Sequence, residues 1–198
     1  MCFEPLNVLP MYLNQLEIRG LLDKGFDDFV DYINTLPDIR FTAALNGQWS
    51  AGQQLEHLVK SIRPICNVMA YPKLTLLYFG TSPLPSRSYD ELSTNYRALL
   101  GNGCKSIKIW KPGITYPGQR VVLLSALLSL RIKLLDRLKR WTESDLDKYR
   151  LPHPLMGKLT IRETLYSIIY HTQHHLGKMQ DQEPVGQSWE NQLQQLIF

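Results

Sequence analysis

Cysteine is scarce in this chain and follows no pattern. The 198 residues include only three cysteines, Cys2, Cys66 and Cys104, at wide and irregular spacings. An odd number without regular spacing argues against a disulfide framework and suits a reducing compartment. We therefore expect a cytoplasmic protein.

Long hydrophobic runs are also absent. The longest, such as residues 121–124 (Val-Val-Leu-Leu), fall far short of the ~20 apolar residues that span a bilayer, so the composition excludes a transmembrane protein and we expect no membrane partner. The first residues lack the basic and apolar regions of a secretory leader, and no signal peptide is expected.

Several well-known catalytic and nucleotide-binding motifs are missing. The sequence contains no GxSxG, no P-loop, no GxGxxG and no CxxC. Serine hydrolases of the GxSxG type, P-loop nucleotide hydrolases and dinucleotide-binding or dithiol oxidoreductases are thereby disfavoured. Any chemistry must be sought in other residues.

The charge is unevenly distributed. The net charge is +4, but residues 105–140 carry nine basic residues against Asp136 alone. Helical spacing places Lys133, Arg137 and Arg140 on one face, which could bind the phosphates of a nucleic acid. The alternative is the solvated face of a helix whose leucines point inward. We favour that alternative, since no aromatic interleaving or nucleic-acid motif accompanies the charges.

Helical signals dominate the rest of the chain. Apolar residues recur at three- and four-residue spacing in four long stretches, and Ser50 and Thr160 begin capping boxes with Gln53 and Glu163. No stretch alternates convincingly as a strand, and Ser88 can cap a shorter helix. The predicted long helices cover about 11–36, 51–71, 119–141 and 161–180.

These signals predict an all-α fold, an antiparallel four-helix bundle with short extra helices in the connections and at the C-terminus. The length suits a single domain over 1–198, with a bundle core at about 11–182 and a C-terminal extension at 183–198. A globule of this size does not need a metal to fold.

The histidines are the strongest functional signal. His171 and His175 stand four residues apart on the last predicted helix, so both imidazoles can point at one metal ion. His57 lies within an apolar frame on another long helix. A core histidine by itself is more often a packing residue, but three such positions favour a His₃ site. Three protein ligands leave a coordination position open, as in catalytic metal sites.

At these residues the sequence resembles the DinB/YfiT-like superfamily of four-helix-bundle metalloproteins. Three segments carry the resemblance, which extends over about residues 13–180. They are Gly47-Gln48-Trp49-Ser50 with His57-Leu58, the connector from His153-Pro154 to Thr160, and His171-Thr172-Gln173-His174-His175.

The resemblance implies a ligand set and a class of activity. Carried over by position, the metal ligands are His57, His171 and His175, while His153 lies in the family's His-Pro connector and His174 is its non-ligand histidine. The family implies a metal-dependent hydrolase or a thiol S-transferase, acting on a small-molecule substrate that could include a low-molecular-weight thiol.

The ligand set leaves several questions open. Zinc, nickel, cobalt and iron all accept three neutral imidazoles, so the ligand set does not choose among them. We expect zinc or nickel, with iron, cobalt or manganese as alternatives. Glu56, Glu163, Tyr166 and Tyr170 are candidate partners for acid–base chemistry, although we do not favour either glutamate as a base. No catalytic residue is assigned. The alternative to an enzyme is a non-catalytic metal-binding sensor or interaction protein.

The C-terminal residues suggest a partner. Leu193, Leu196, Ile197 and Phe198 form an apolar stripe on a segment too short to be a stable helix alone. The stripe must dock on its own bundle or on a neighbour. Because the resemblance implies that homodimers are common, we expect a homodimer.

Overall fold

The computed structural model describes residues 12–44, 47–102 and 108–181. The predicted C-terminal stripe lies outside these residues, and the homodimer that it suggests stays a prediction.

Four long helices form the framework. They are α1 (Gln15–Thr35), α3 (Ala51–Val68), α5 (Gln119–Leu138) and α7 (Ile161–Gln180). The main packing pairs are α1 with α5 and α7, and α3 with α5 and α7. The predicted four-helix bundle is confirmed. None of the described helices combines the length and the apolar character needed to cross a bilayer.

Capping residues explain where the long helices begin. Ser50 and Thr160 form the predicted capping boxes with Gln53 and Glu163, and Asn14 forms another at the start of α1. In each box the side chain of the cap accepts a backbone N–H that the helix leaves unpaired. The boxes therefore set the register of α3 and α7, the helices that carry the three candidate histidine ligands.

Shorter elements fill the connections. α2 (Asp38–Thr42) follows α1, α4 (Tyr89–Gly101) is the predicted helix capped by Ser88, and α6 (Glu143–Lys148) is capped by Thr142. Short 3₁₀ segments occupy Lys73–Phe79 and Lys108–Trp110.

One feature corrects the sequence prediction. A two-stranded antiparallel hairpin, β1 (Arg150–His153) and β2 (Gly157–Thr160), occupies a region where no strand was predicted. Leu151 pairs with Leu159, and both are buried against the bundle. Strands of four residues are too short to show a clear alternation, and the positive φ of Gly157 (73°) helps to close their turn.

The core is a continuous set of apolar side chains contributed by all four long helices. Its fully buried large members include Ile18, Phe26, Phe29, Ile33, Leu55, Leu58, Ile62, Leu127, Leu134, Leu165 and Ile169. This packing holds α3 and α7 together through apolar burial, the main source of folding free energy.

Candidate metal centre

Three imidazole rings from two helices converge at one point of the bundle. His57 lies two turns into α3, and His171 and His175 lie one turn apart on α7. Nε2 of His171 lies 3.1 Å from Nε2 of His57 and 2.7 Å from Nε2 of His175. One nitrogen from each ring lies within 4.8 Å of the other two. The structure thus brings the three predicted residues together, and their ligation of a metal stays a prediction.

The second nitrogen of two of these rings is held by a carbonyl oxygen. Nδ1 of His57 lies 2.9 Å from the main-chain oxygen of Trp110, and Nδ1 of His175 bonds Oε1 of Gln54. A carbonyl oxygen only accepts, so each Nδ1 carries the hydrogen and each Nε2 presents a lone pair to the common point. Metal-ligating histidines are held in this way, and the donor set therefore fits a metal ion.

Burial keeps the three rings neutral. It lowers the pKa of His171 and His175 well below the ordinary 6.5, and repulsion among the neighbouring imidazoles lowers both further. Burial also lowers the pKa of His57, against the opposing effect of the Trp110 carbonyl. Neutral imidazole is the form that binds metals, so the site is ready to bind at neutral pH without first losing protons.

An aromatic wall fixes the position of the rings. The Trp49 side chain stacks on His175, with ring centroids 6.2 Å apart and planes 4° apart, and it lies 5.0 Å from His57. Trp49 precedes the capping residue of α3, so the start of that helix and the wall of the site are determined together.

The three histidines face a cleft of about 940 Å³. This volume lies in the range of small-molecule sites. α3, α4, α7, the β1–β2 hairpin and the loops at residues 47–49 and 110–111 contribute to its walls. Among the described lining residues the charged ones are Lys111, Lys178 and Asp181. The described walls therefore contain more positive than negative charge.

Two neutral polar side chains lie beside His171 in this cleft. The Tyr96 ring packs 6.2 Å from that of His171 and 5.5 Å edge-on from that of His153. Burial, with Tyr170 nearby, raises the pKa of Tyr96 to about 12, and burial lowers the pKa of His153 to about 4. Both side chains are therefore uncharged at neutral pH.

His174 lies outside the group of three converging histidines, as the resemblance implies for the middle histidine of the segment. Its ring stacks on Tyr170, with the centroids 6.1 Å apart, and it lines the cleft. Burial, together with the nearby positive charge of Lys178, lowers the pKa of His174 to about 4.

The candidate acid–base residues from the sequence are mostly engaged elsewhere. Glu56 pairs with Lys60 at 2.8 Å, and Glu163 pairs with Arg87 at 2.8 Å while it caps α7. Tyr166 donates to the Leu13 carbonyl at 3.1 Å. Tyr170 packs behind Tyr96. None of the four is among the described residues that line the cleft.

The sequence interpretation overlooked three contributors to the site. Gln54 lies three residues before His57, on the same face of α3, and this helical spacing could have revealed it. Tyr96 lies on the predicted short helix but had no functional signal. The Trp110 carbonyl belongs to the main chain, and a main-chain oxygen has no signature in a sequence.

The basic stretch is largely engaged in contacts within the chain. Arg137 donates to the main-chain oxygen of Cys66 on α3, and Arg131 pairs with Asp23 and Asp27 on α1. Arg140 pairs with Asp136 at 3.3 Å. Arg137, the central residue of the face considered for phosphate binding, is therefore used in packing α5 against α3. This favours the interpretation that the basic stretch is part of an ordinary bundle helix.

Comparisons with known proteins agree with this architecture. No curated protein matches the chain significantly. Among solved structures, the chain is similar to YfiT from Bacillus subtilis, described as "a probable metal-dependent hydrolase with an unusual four-helix bundle topology". The match has 17% sequence identity and a TM-score of 0.56, and it covers 90% of each chain. The profile of the DinB superfamily matches residues 21–179, which include all three converging histidines. The chain belongs to the DinB superfamily.

Proposed function

We propose that the chain binds a divalent transition metal, zinc or nickel, through His57, His171 and His175 and hydrolyses a small-molecule ester or amide at this site. One observation carries the proposal: three Nε2 atoms meet at the wall of a large cleft, and two of the three rings are oriented by carbonyl acceptors. Membership of the DinB superfamily and the description of YfiT support it.

The chemistry divides between the metal and the chain. A divalent ion, when three imidazoles hold it, is a Lewis acid that can polarise a carbonyl oxygen and lower the pKa of a bound water molecule. The chain keeps the imidazoles neutral, leaves room for further ligands beside them and encloses the substrate in the cleft. In the overall reaction, water adds to the carbonyl carbon, the bond from that carbon to the leaving oxygen or nitrogen breaks, and the leaving group takes a proton.

Metal binding is tested first. The full chain is purified without added metal, analysed for its metal content and titrated with zinc and with nickel by calorimetry. We expect one equivalent of metal in the wild type and none in His57→Ala or His171→Ala. The matched control is His174→Ala, which removes a histidine of the same cleft and should retain one equivalent. Equal metal content in all four proteins would contradict the proposal.

Activity is then screened on the metal-loaded protein. A panel of p-nitrophenyl esters and anilides should reveal hydrolysis that disappears in His171→Ala and persists in His174→Ala. Transfer of a low-molecular-weight thiol to an electrophile would instead identify an S-transferase. Metal binding without either activity would identify a non-catalytic metal-binding protein.

A further inference from the structure

His153 uses only one of its two ring nitrogens within the described structure. Nδ1 accepts the backbone N–H groups of Leu155 and Met156, both at 3.2 Å, at the turn between β1 and β2. A nitrogen that accepts two N–H groups carries no hydrogen, so the hydrogen of the neutral ring lies on Nε2. Nε2 has no hydrogen-bond partner among the described residues, and His153 lines the cleft.

Tyr96 is in a similar position. Its ring is 95% buried between His153, Tyr170 and His171, yet its hydroxyl has no hydrogen-bond partner among the described residues. Another tyrosine of α4, Tyr89, donates its hydroxyl to Gln173 at 3.1 Å. Within the described structure, only the Tyr96 hydroxyl of this pair remains available to a ligand in the cleft.

Two uncharged donors therefore lie together, next to one of the three converging histidines. Donors that packing holds in place suit an oxygen atom that gains negative charge during a reaction, because little reorganisation is needed as the charge develops. The contact between Nδ1 and the hairpin turn accounts for the orientation of the His153 ring. The hydrogen on Nε2 has no structural role among the residues that the structure describes.

We propose that Tyr96 Oη–H and His153 Nε2–H bind the carbonyl oxygen of the substrate and stabilise the negative charge that it gains during hydrolysis. This inference rests on the proposed function and places the carbonyl oxygen of the ester or amide beside His171. The two residues touch the reacting oxygen and take up no proton.

Four variants separate this role from a structural one. Tyr96→Phe removes only the hydroxyl, and Tyr89→Phe is its matched control on the same helix. His153→Asn keeps a polar acceptor near the position of Nδ1 but removes the distal donor. His153→Gln keeps an amide N–H that can reach the position of Nε2 and should restore part of the function.

The first measurement needs neither metal nor activity. In the metal-free, ¹⁵N-histidine-labelled full chain at pH 7.5, NMR should show His153 as the neutral Nε2–H tautomer. The Nδ1–H tautomer or a charged ring would overturn the proposal.

The second measurement is calorimetric titration with phenylphosphonate, a tetrahedral anion that resembles the charged intermediate of carbonyl hydrolysis. It is run on zinc-loaded and on metal-free protein. We expect Tyr96→Phe and His153→Asn to raise the Kd about tenfold, the size expected for one lost hydrogen bond to a charged oxygen. Tyr89→Phe should bind like the wild type, and His153→Gln should lie in between.

The outcomes distinguish the two proposals. A wild-type protein that takes up neither zinc nor nickel contradicts the proposed function alone, because the phosphonate titration is also run without metal. The donor-pair proposal is overturned if Tyr96→Phe and His153→Asn bind phenylphosphonate as tightly as the wild type does, with and without zinc. It is also overturned if none of these proteins binds phenylphosphonate.

Discussion

Gln54 and His175 lie 121 residues apart in sequence, and a hydrogen bond between Oε1 and Nδ1 joins them across the interface of α3 and α7. This bond determines which nitrogen of His175 faces His57 and His171. It also couples the position of the His175 ring, a proposed metal ligand, to the packing of the two helices.

The first prediction concerns this bond. Gln54→Leu removes the acceptor while it keeps the volume of the side chain, so the His175 ring loses its fixed orientation. We expect metal affinity to fall about 10- to 100-fold, as is usual when the hydrogen-bond partner of a ligating histidine is lost. Competitive titration with a metal chelator measures the change. Gln180→Ala, at an exposed position of α7, is the control, and a similar loss there would contradict the interpretation.

The second prediction concerns the contribution of the ligands to folding. Because the apolar core provides most of the driving force, His171→Ala and His175→Ala should lose metal while they keep the helical circular-dichroism spectrum. Ile62→Ala is the contrasting variant: Ile62 is 1% exposed and lies one turn beyond His57. Its urea midpoint should fall by the equivalent of about 2–5 kcal/mol. A ligand variant that fails to fold would show that the site is structural.

The third prediction concerns pH. Burial lowers the pKa of His153 to about 4, whereas the unfolded chain titrates near 6.5. Between these values the unfolded state binds more protons, so the free energy of unfolding decreases as the pH falls from about 6.5 to about 4. Urea denaturation of metal-free protein should give a lower midpoint at pH 5 than at pH 7.5. His153→Asn should lose less stability than the wild type between pH 7.5 and pH 5. An equal loss in both proteins would show that groups other than His153 cause the pH dependence.

The fourth prediction concerns a buried arginine. The side chain of Arg162 is 8% exposed, and its guanidinium bonds Asp147, Glu143 and the main-chain oxygen of Leu13, each at 2.6 Å. Arg162→Met removes a shared donor, while Asp147 keeps Ser86, Glu143 keeps the Gln15 N–H and the Leu13 carbonyl keeps Tyr166. Because both carboxylates are partly exposed, the loss of these charged hydrogen bonds should cost about 1.5–3 kcal/mol of unfolding free energy.

Arg140→Met is the matched control for Arg162. Its side chain is 72% exposed and, among the described residues, pairs only with Asp136, so its loss should cost less than about 1 kcal/mol. Equal costs in urea denaturation would show that the Arg162 network does not stabilise the fold.

The long helices and their caps were predictable from sequence because their causes are local. Ser50 with Gln53, and Thr160 with Glu163, are read directly from neighbouring residues, and apolar spacing then marks the buried faces of α3 and α7. The four-residue spacing of His171 and His175 is local as well. To predict that His57 joins these two histidines, one must also expect that its helix packs against theirs.

The missed features depend on contacts that sequence spacing does not encode. The β1–β2 hairpin is stabilised by two buried leucines and by its packing, and the strands are too short to show a period. Two backbone N–H groups at the turn determine which nitrogen of the His153 ring carries the hydrogen. Trp110 contributes a main-chain oxygen, so its side chain indicates nothing about that role.

The helices that carry the three converging histidines determine which parts of this site can change in sequence without loss of its geometry. These histidines come from only two helices, whereas α4, the hairpin and two connecting segments contribute about half of the described lining of the cleft. Insertions or exchanges in the loop at residues 47–49 or at the β1–β2 turn would reshape the entrance while α3 and α7 stay in register. Libraries that vary those connections should therefore yield proteins with altered ligand preference and unaltered metal stoichiometry, a practical starting point for directed evolution of this scaffold.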